Sequence, residues 1–232
     1  MNNFLIIISS IALFIFLIGM IWRWVVWLKT PVPCKIPTTP CPKTTSGIIV
    51  QLFNEIIFFR SLLRLNNKPL WAFSWFFHIS IVLILITHFF NPNVFFSISD
   101  IKWIYNEKSI FIYFGLIIAP LTILYLLIRR IFNEKIRFVS IFDDYFALIL
   151  LLFIVTTGIF LYSSMHLGLE MDSSLLLPIH VIAVVLLLVY FPFSKLVHAG
   201  AVILSPTRNQ PNNNREVRHI NPWDNGKIKV DD

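Results

Sequence analysis

"FHISIVLILITHFF", residues 77–90, sets two histidines, His78 and His88, ten positions apart in an otherwise apolar run. With its apolar flanks the run extends over about 71–92. That is long enough to cross hydrocarbon, for which a helix needs roughly 20 mostly apolar residues. Comparable stretches lie at about 4–27, 109–128, 145–163 and 174–194. Lipid offers a backbone no hydrogen-bond partners, so these stretches are expected as helices rather than strands. The 232-residue chain is 57% hydrophobic and 13% charged, with 23 phenylalanines, which excludes a soluble domain of this size. The expected fold class is an all-α membrane protein with five transmembrane helices. No basic residue precedes the first stretch and no small-residue cleavage signature follows it, so it reads as a retained span rather than a signal peptide.

Basic residues favour the cytoplasmic side. Residues 23–70 carry seven (Arg23, Lys29, Lys35, Lys43, Arg60, Arg64 and Lys68), the connection after the third span carries four (Arg129, Arg130, Lys135 and Arg137), and the chain from Lys195 onward carries six. Only Lys102 and Lys108 fall in the other connections. This asymmetry predicts a periplasmic N-terminus and a cytoplasmic C-terminus. Trp22, Trp24, Trp27, Trp71 and Trp75 gather at the inner ends of the first two spans, as an interfacial belt does. The net charge of +7 follows from this placement and calls for no nucleic-acid partner.

The chain divides into a membrane domain, residues 1–200 with a cytoplasmic loop at 28–70, and a cytoplasmic tail, 201–232. Within the loop, "GIIVQLFNEIIFFRSLLRL" reads as an amphipathic piece lying along the inner surface. Cys34 and Cys41 in "PVPCKIPTTPC" fit no metal spacing and face a reducing compartment; free thiols are the plain reading and contact with a redox partner the other. The tail is rich in Asn, Pro and charge, and its composition would not fold it alone.

Of six histidines, His78 and His88 belong to the second span and His180 and His198 to the fifth; His166 and His219 lie outside the spans. A lone histidine on a bundle helix is commonly a hydrogen-bonded packing residue. Four divided evenly between two helices are functional candidates, because ionisable groups in a membrane are costly. The two spans run antiparallel, so His88 comes level with His180 and His78 with His198, one pair near each face. Ten residues rise about 15 Å and eighteen about 27 Å. Tilt, the breadth of a bridging group and a bend near Pro192 absorb the difference. Eighteen residues return to the same helix face, and ten leave their side chains about 80° apart, so both helices can face one partner.

Zinc prefers four ligands at one point, often with Cys or carboxylate, and proton relays combine histidine with Asp or Glu; neither span supplies an acid. Haem iron takes one axial ligand from each side, and imidazole is a usual choice. Two pairs therefore imply two b-type haems with iron closed on both faces, which suits electron transfer. The absence of a C-x-x-C-H motif argues against covalent attachment.

"FHISIVLILITHFF" followed by "IHVIAVVLLLVYFPFSKLVH" resembles the diheme cytochrome b gamma subunit of respiratory nitrate reductases, over about residues 70–200. "RWVVWLKTPVPCKIPTT", "FFRSLLR", "SPTRNQ" and "RHINPW" resemble a narrower branch, the DsrM membrane subunit of the DsrMKJOP complex in sulfur metabolism, over nearly the whole chain. The resemblance implies His88 and His180 as axial ligands of an outer haem and His78 and His198 of an inner one, in a bacterial cytoplasmic (inner) membrane. It implies electron exchange between membrane quinone (menaquinone or ubiquinone) and a cytoplasmic iron–sulfur subunit of the DsrK type, related to heterodisulfide reductases, among other complex subunits. Quinol oxidation releases two electrons and two protons whereas a haem carries one electron, so stacked haems would form a wire. The quinone pocket would lie beside the outer haem, where Lys102 and Asp100 are the nearest titratable groups. Thr87 stands where nitrate reductase gamma subunits carry Gly. On the inner side Arg60, Arg64 and Lys195 are candidates for haem propionates. Two alternatives stand beside this reading: a nitrate reductase gamma subunit proper, and a haem-handling or transport protein, hinted at by Pro178 and Pro192.

Overall fold

The computed structural model describes residues 3–29, 44–65, 67–89, 110–166, 172–204, 217–219 and 227–229. Its helices are α1 (Asn3–Lys29), α2 (Thr45–Phe58), α3 (Arg60–Arg64), α4 (Lys68–Phe89), α5 (Ile110–Phe132), α6 (Glu134–Val139), α7 (Phe142–His166), α8 (Ser173–Tyr190) and α9 (His198–Leu204). Five of them, α1, α4, α5, α7 and α8, are long and apolar enough to cross a membrane. Each coincides with an expected span to within a few residues, and the protein is a multi-pass membrane protein. In the tail, β1 (Val217–His219) pairs antiparallel with β2 (Lys227–Lys229), a ladder the composition of the tail did not announce. A two-stranded ribbon of this length has marginal independent stability.

The spans pack in the order α4–α5–α7–α8–α1. The buried core lies between α5 and α7, where Ala119, Ile123 and Val155 are buried and Phe77, Ile81 and Ile84 of α4 close over them. Hydroxyls in this region bond back to their own helices. Thr122 Oγ1 donates to Ile118 O at 2.8 Å and Thr156 Oγ1 to Leu152 O at 2.7 Å, so no polar atom is carried into lipid without a partner there. The histidine-bearing helices α4 and α8 share at most marginal contact with each other. They are also the least buried of the five spans, α5 and α7 being the most buried.

The chain breaks after Tyr190. Pro192 has no N–H to continue the ladder, and the backbone passes through two 3₁₀ turns, Phe191–Phe193 and Lys195–Val197, joined by an extended Ser194. Ser194 Oγ accepts from Leu196 N at 3.2 Å and so caps the second turn. The carbonyl of Pro192 accepts from Arg23 Nε of α1 at 2.9 Å. Gly19 makes room for this crossing, since a Cβ there would lie 2.6 Å from Pro192 Cβ. His198 therefore opens α9 rather than ending α8. The expected bend near Pro192 is a full interruption, and an uninterrupted eighteen-residue helix does not govern the face on which His198 sits.

Candidate cofactor site between α4 and α8

The rings of His78 and His198 lie 6.1 Å apart, centre to centre, with planes inclined by 80°. Two imidazoles bonded to one metal at about 2 Å each would have ring centres about 6 Å apart, so the pair has the spacing of two axial ligands. His88 and His180 are electrostatic neighbours nearer the other end of α4, with His180 on α8 and His198 on α9. The structure thus brings together His78 with His198 and His88 with His180. Among the described residues no three His, Cys, Asp or Glu side chains converge on a metal position. Donors meeting in twos suit a planar cofactor with one ligand on each face better than a tetrahedral ion.

The proton positions fit the same use. His78 Nδ1 lies 2.7 Å from Ser74 O, His88 Nδ1 2.8 Å from Ile84 O, and His198 Nδ1 2.8 Å from Lys195 O. A carbonyl oxygen only accepts, so each Nδ1 carries the proton and each Nε2 keeps its lone pair. His180 has the main chain of Ile154 and, in addition, a side-chain partner. Its Nδ1 lies 2.8 Å from Thr157 Oγ1, and that hydroxyl donates to Phe153 O at 2.9 Å and Ile154 O at 3.0 Å. The hydroxyl oxygen is left to accept from Nδ1–H. Gly158 lets α7 approach this closely, since a Cβ there would stand 3.3 Å from His180 Cε1. Such second partners orient a metal-binding imidazole and fix its tautomer.

A cavity of about 400 Å³ opens at the basic end of the bundle, lined in part by His78, His198, Arg129, Arg130, Asp144 and Lys195. Its size falls within the range of about 300–1,000 Å³ usual for cofactor pockets. Lys195 Nζ bonds Asp144 Oδ2 at 2.8 Å, and Arg130 approaches the same oxygen at 3.4 Å. Lys195 N donates to Asp143 Oδ2 at 3.1 Å, and the Tyr190 hydroxyl bonds the Asp143 carboxylate. The first turn of α7 thereby holds the interrupted end of α8.

Lys195 lines the cavity, as do Arg129 and Arg130, which sequence reasoning passed over as ordinary loop cations. Arg60 and Arg64 lie on α3, outside the lining. Thr157, Asp143 and Asp144 were also missed; the one signal for the acids was their place as an adjacent pair at the start of an apolar span. Thr87 Oγ1 donates to Ile84 O at 2.8 Å, the carbonyl that His88 Nδ1 also uses. Lys102, Asp100, Cys34 and Cys41 lie outside the described residues.

Residues 60–173 match the family described as "Nitrate reductase gamma subunit", a region that includes His78 and His88. The chain is 37% identical to the Hdr-like menaquinol oxidoreductase cytochrome b-like subunit of Archaeoglobus fulgidus, over 97% of this chain and 84% of that protein. It is 29% identical to the protein of the same name from Archaeoglobus profundus, over 90% of this chain and 79% of that protein. The chain belongs to the family of Hdr-like menaquinol oxidoreductase cytochrome b-like subunits, and its residues 60–173 carry the nitrate reductase gamma subunit pattern.

Proposed function

We propose that this protein is a diheme cytochrome b of the membrane, passing electrons between menaquinone and a cytoplasmic iron–sulfur subunit of a larger complex. The observation that carries the reading is the set of four histidines in two cross-helix pairs, each with Nδ1 hydrogen-bonded and Nε2 free to ligate. When bound, haem supplies one-electron redox chemistry at an iron closed on both faces. His88 and His180 would clamp an outer haem, and His78 and His198 an inner one.

Arg129, Arg130 and Lys195 around the inner cavity are placed to meet carboxylates, and Arg60 and Arg64 are the next cations along the chain. The side bearing most of the basic residues is the cytoplasmic one, with the N-terminus outside. Lys102 and Asp100 are the groups proposed to meet a quinone oxygen beside His88. The tail 201–232 serves as the docking segment for the iron–sulfur subunit. The names of the relatives favour menaquinone over ubiquinone and an Hdr-like complex; the DsrM-like branch with a DsrK-type partner is the finer form of this proposal. The match over residues 60–173 favours a second reading, a nitrate reductase gamma subunit. The co-purifying catalytic subunit distinguishes the two.

A reduced-minus-oxidised spectrum of the purified chain tests the reading. It should show low-spin b-type bands at about two haems per chain. His78→Ala and His198→Ala should remove one haem, and His88→Ala and His180→Ala the other. Absence of haem, or a single high-spin haem, would overturn the proposal, and crossed losses would overturn the pairing.

A further inference from the structure

Phe59 is the one non-glycine residue with positive φ among the described residues, at φ 49° and ψ 45°. The left-handed region is where a bulky side chain is a genuine outlier, and glycine is the usual choice after a helix. The position closes α2 and opens α3 at once. Phe59 N–H bonds back to Asn54 O, and its side chain provides no cap for α3. The cap comes from elsewhere: the buried Glu55 accepts from Ser61 N at 2.8 Å through Oε2.

Much of this elbow is directed at α4. The last carbonyls of α2 accept from two tryptophans of that helix, Phe58 O from Trp71 Nε1 at 2.8 Å and Ile57 O from Trp75 Nε1 at 2.7 Å. The strained residue itself sets its ring against His78, with centres 4.8 Å apart and planes at 86°. Phe77 meets the same imidazole edge-on at 4.9 Å. His78 is thus held between two aromatic rings, with Nδ1 anchored on Ser74 O and its remaining approach open to His198. A glycine at position 59 would remove the strain and also the ring that limits rotation of the imidazole.

We infer that Phe59 is a positioning residue for the inner ligand pair: its left-handed backbone is kept because it presses an aromatic ring on His78 and fixes the angle between the His78 and His198 planes. The inference rests on the proposed bis-histidine haem and adds to it a residue outside the four ligands. Strain held at one point by surrounding contacts is a recurring mark of functional geometry. Here three independent ties, Glu55, Trp71 and Trp75, hold it.

The test uses the full chain with its haems and compares wild type, Phe59→Gly, Phe59→Leu and Phe59→Tyr. The readouts are thermal unfolding, haem stoichiometry, the low-spin electron paramagnetic resonance signals and the midpoint potential of each haem. Thermal unfolding of Phe59→Gly, in which relief of the backbone strain is set against loss of the ring, shows whether the fold as a whole is kept. That variant should broaden or shift the signal and the potential of the haem that depends on His78, leaving the other unchanged. Phe59→Leu should do the same to a smaller extent, and Phe59→Tyr should restore the wild-type signal. Selective loss of the His78-dependent haem in Phe59→Gly would also support the inference. Unaltered signals and potentials in both Phe59→Gly and Phe59→Leu would overturn it, as would loss of both haems together, since the elbow would then serve the fold at large. A wild-type chain without bis-histidine haem would refute the proposed function itself, a result visible before any variant is made.

Discussion

The hydroxyl of Thr157 lies 2.8 Å from Nδ1 of His180, so that among the described residues His180 has a side-chain partner beside the main chain of Ile154, where His78, His88 and His198 rest on carbonyls of their own turns. The His88–His180 pair therefore draws on a hydroxyl carried by a different helix, α7. Thr157→Val keeps the shape and removes the acceptor. We expect the His180-dependent haem to be retained about 10–100-fold less tightly, the usual consequence of losing such a partner, with the other haem unaffected. Haem content during dilution, followed by absorption, checks this; equal retention of both haems would contradict it.

Gly19→Val should act on the other pair. Its side chain would meet Pro192, whose Cβ lies 2.6 Å from where a Cβ at Gly19 would stand. Overpacking of this kind costs about 1–3 kcal/mol. The displaced turn leads directly to His198, so the His198-dependent haem should be lost or shifted while the His180-dependent one stays. Thermal unfolding in detergent together with the spectrum would show both effects.

Asp144→Asn would leave Lys195 and Arg130 without the carboxylate they share. Removing a negative charge beside the cavity should make the inner haem easier to reduce, by on the order of 1 kcal/mol at an effective dielectric of about 20. A redox titration resolving the two haems is the measurement, and a fall in the inner potential would refute the assignment.

A pH effect should appear at the start of α8. Two hydrogen bonds from Ser174, one from its side chain and one from its backbone N–H, hold the Asp172 carboxyl below the usual carboxylate range. A carboxyl depressed in the folded state stabilises above its unfolded pKa, and that stabilisation is lost as pH falls through the folded value. The first turn of α8 should therefore exchange amide hydrogens faster on acidification below the normal range of Asp. In Asp172→Ala the exchange should be fast already at neutral pH and lose this acid step.

The spans were legible because twenty-residue apolar runs have few alternatives in a membrane, and the histidines because little else in those runs was polar. What escaped the sequence depends on contacts between distant positions. Nothing local marks Thr157 as a partner of His180, 23 residues away, since intramembrane threonines ordinarily bond their own helix, as Thr122 and Thr156 do. Arg129 and Arg130 looked like topology signals, and only the packing of α5 against α4 and α7 turns them toward His78. Phe59 was invisible because a left-handed Phe contradicts its own propensity. The break after Tyr190 was half visible: Pro192 announced a bend, but its extent follows from Arg23 and Gly19, which belong to α1.

That break divides custody of the ligands. His180 belongs to a continuous helix referenced to α7, whereas His198 belongs to a separate short segment whose position is dictated by α1 and by the acids at the start of α7. Movement of α1, at the end of the row, would reach His198 directly through Arg23 and Gly19, whereas His180, on a helix that also packs against α1, is braced from the other side by Thr157 of α7. On the proposed diheme reading, a subunit that grips the first helix would therefore act first on the ligand of the inner pair.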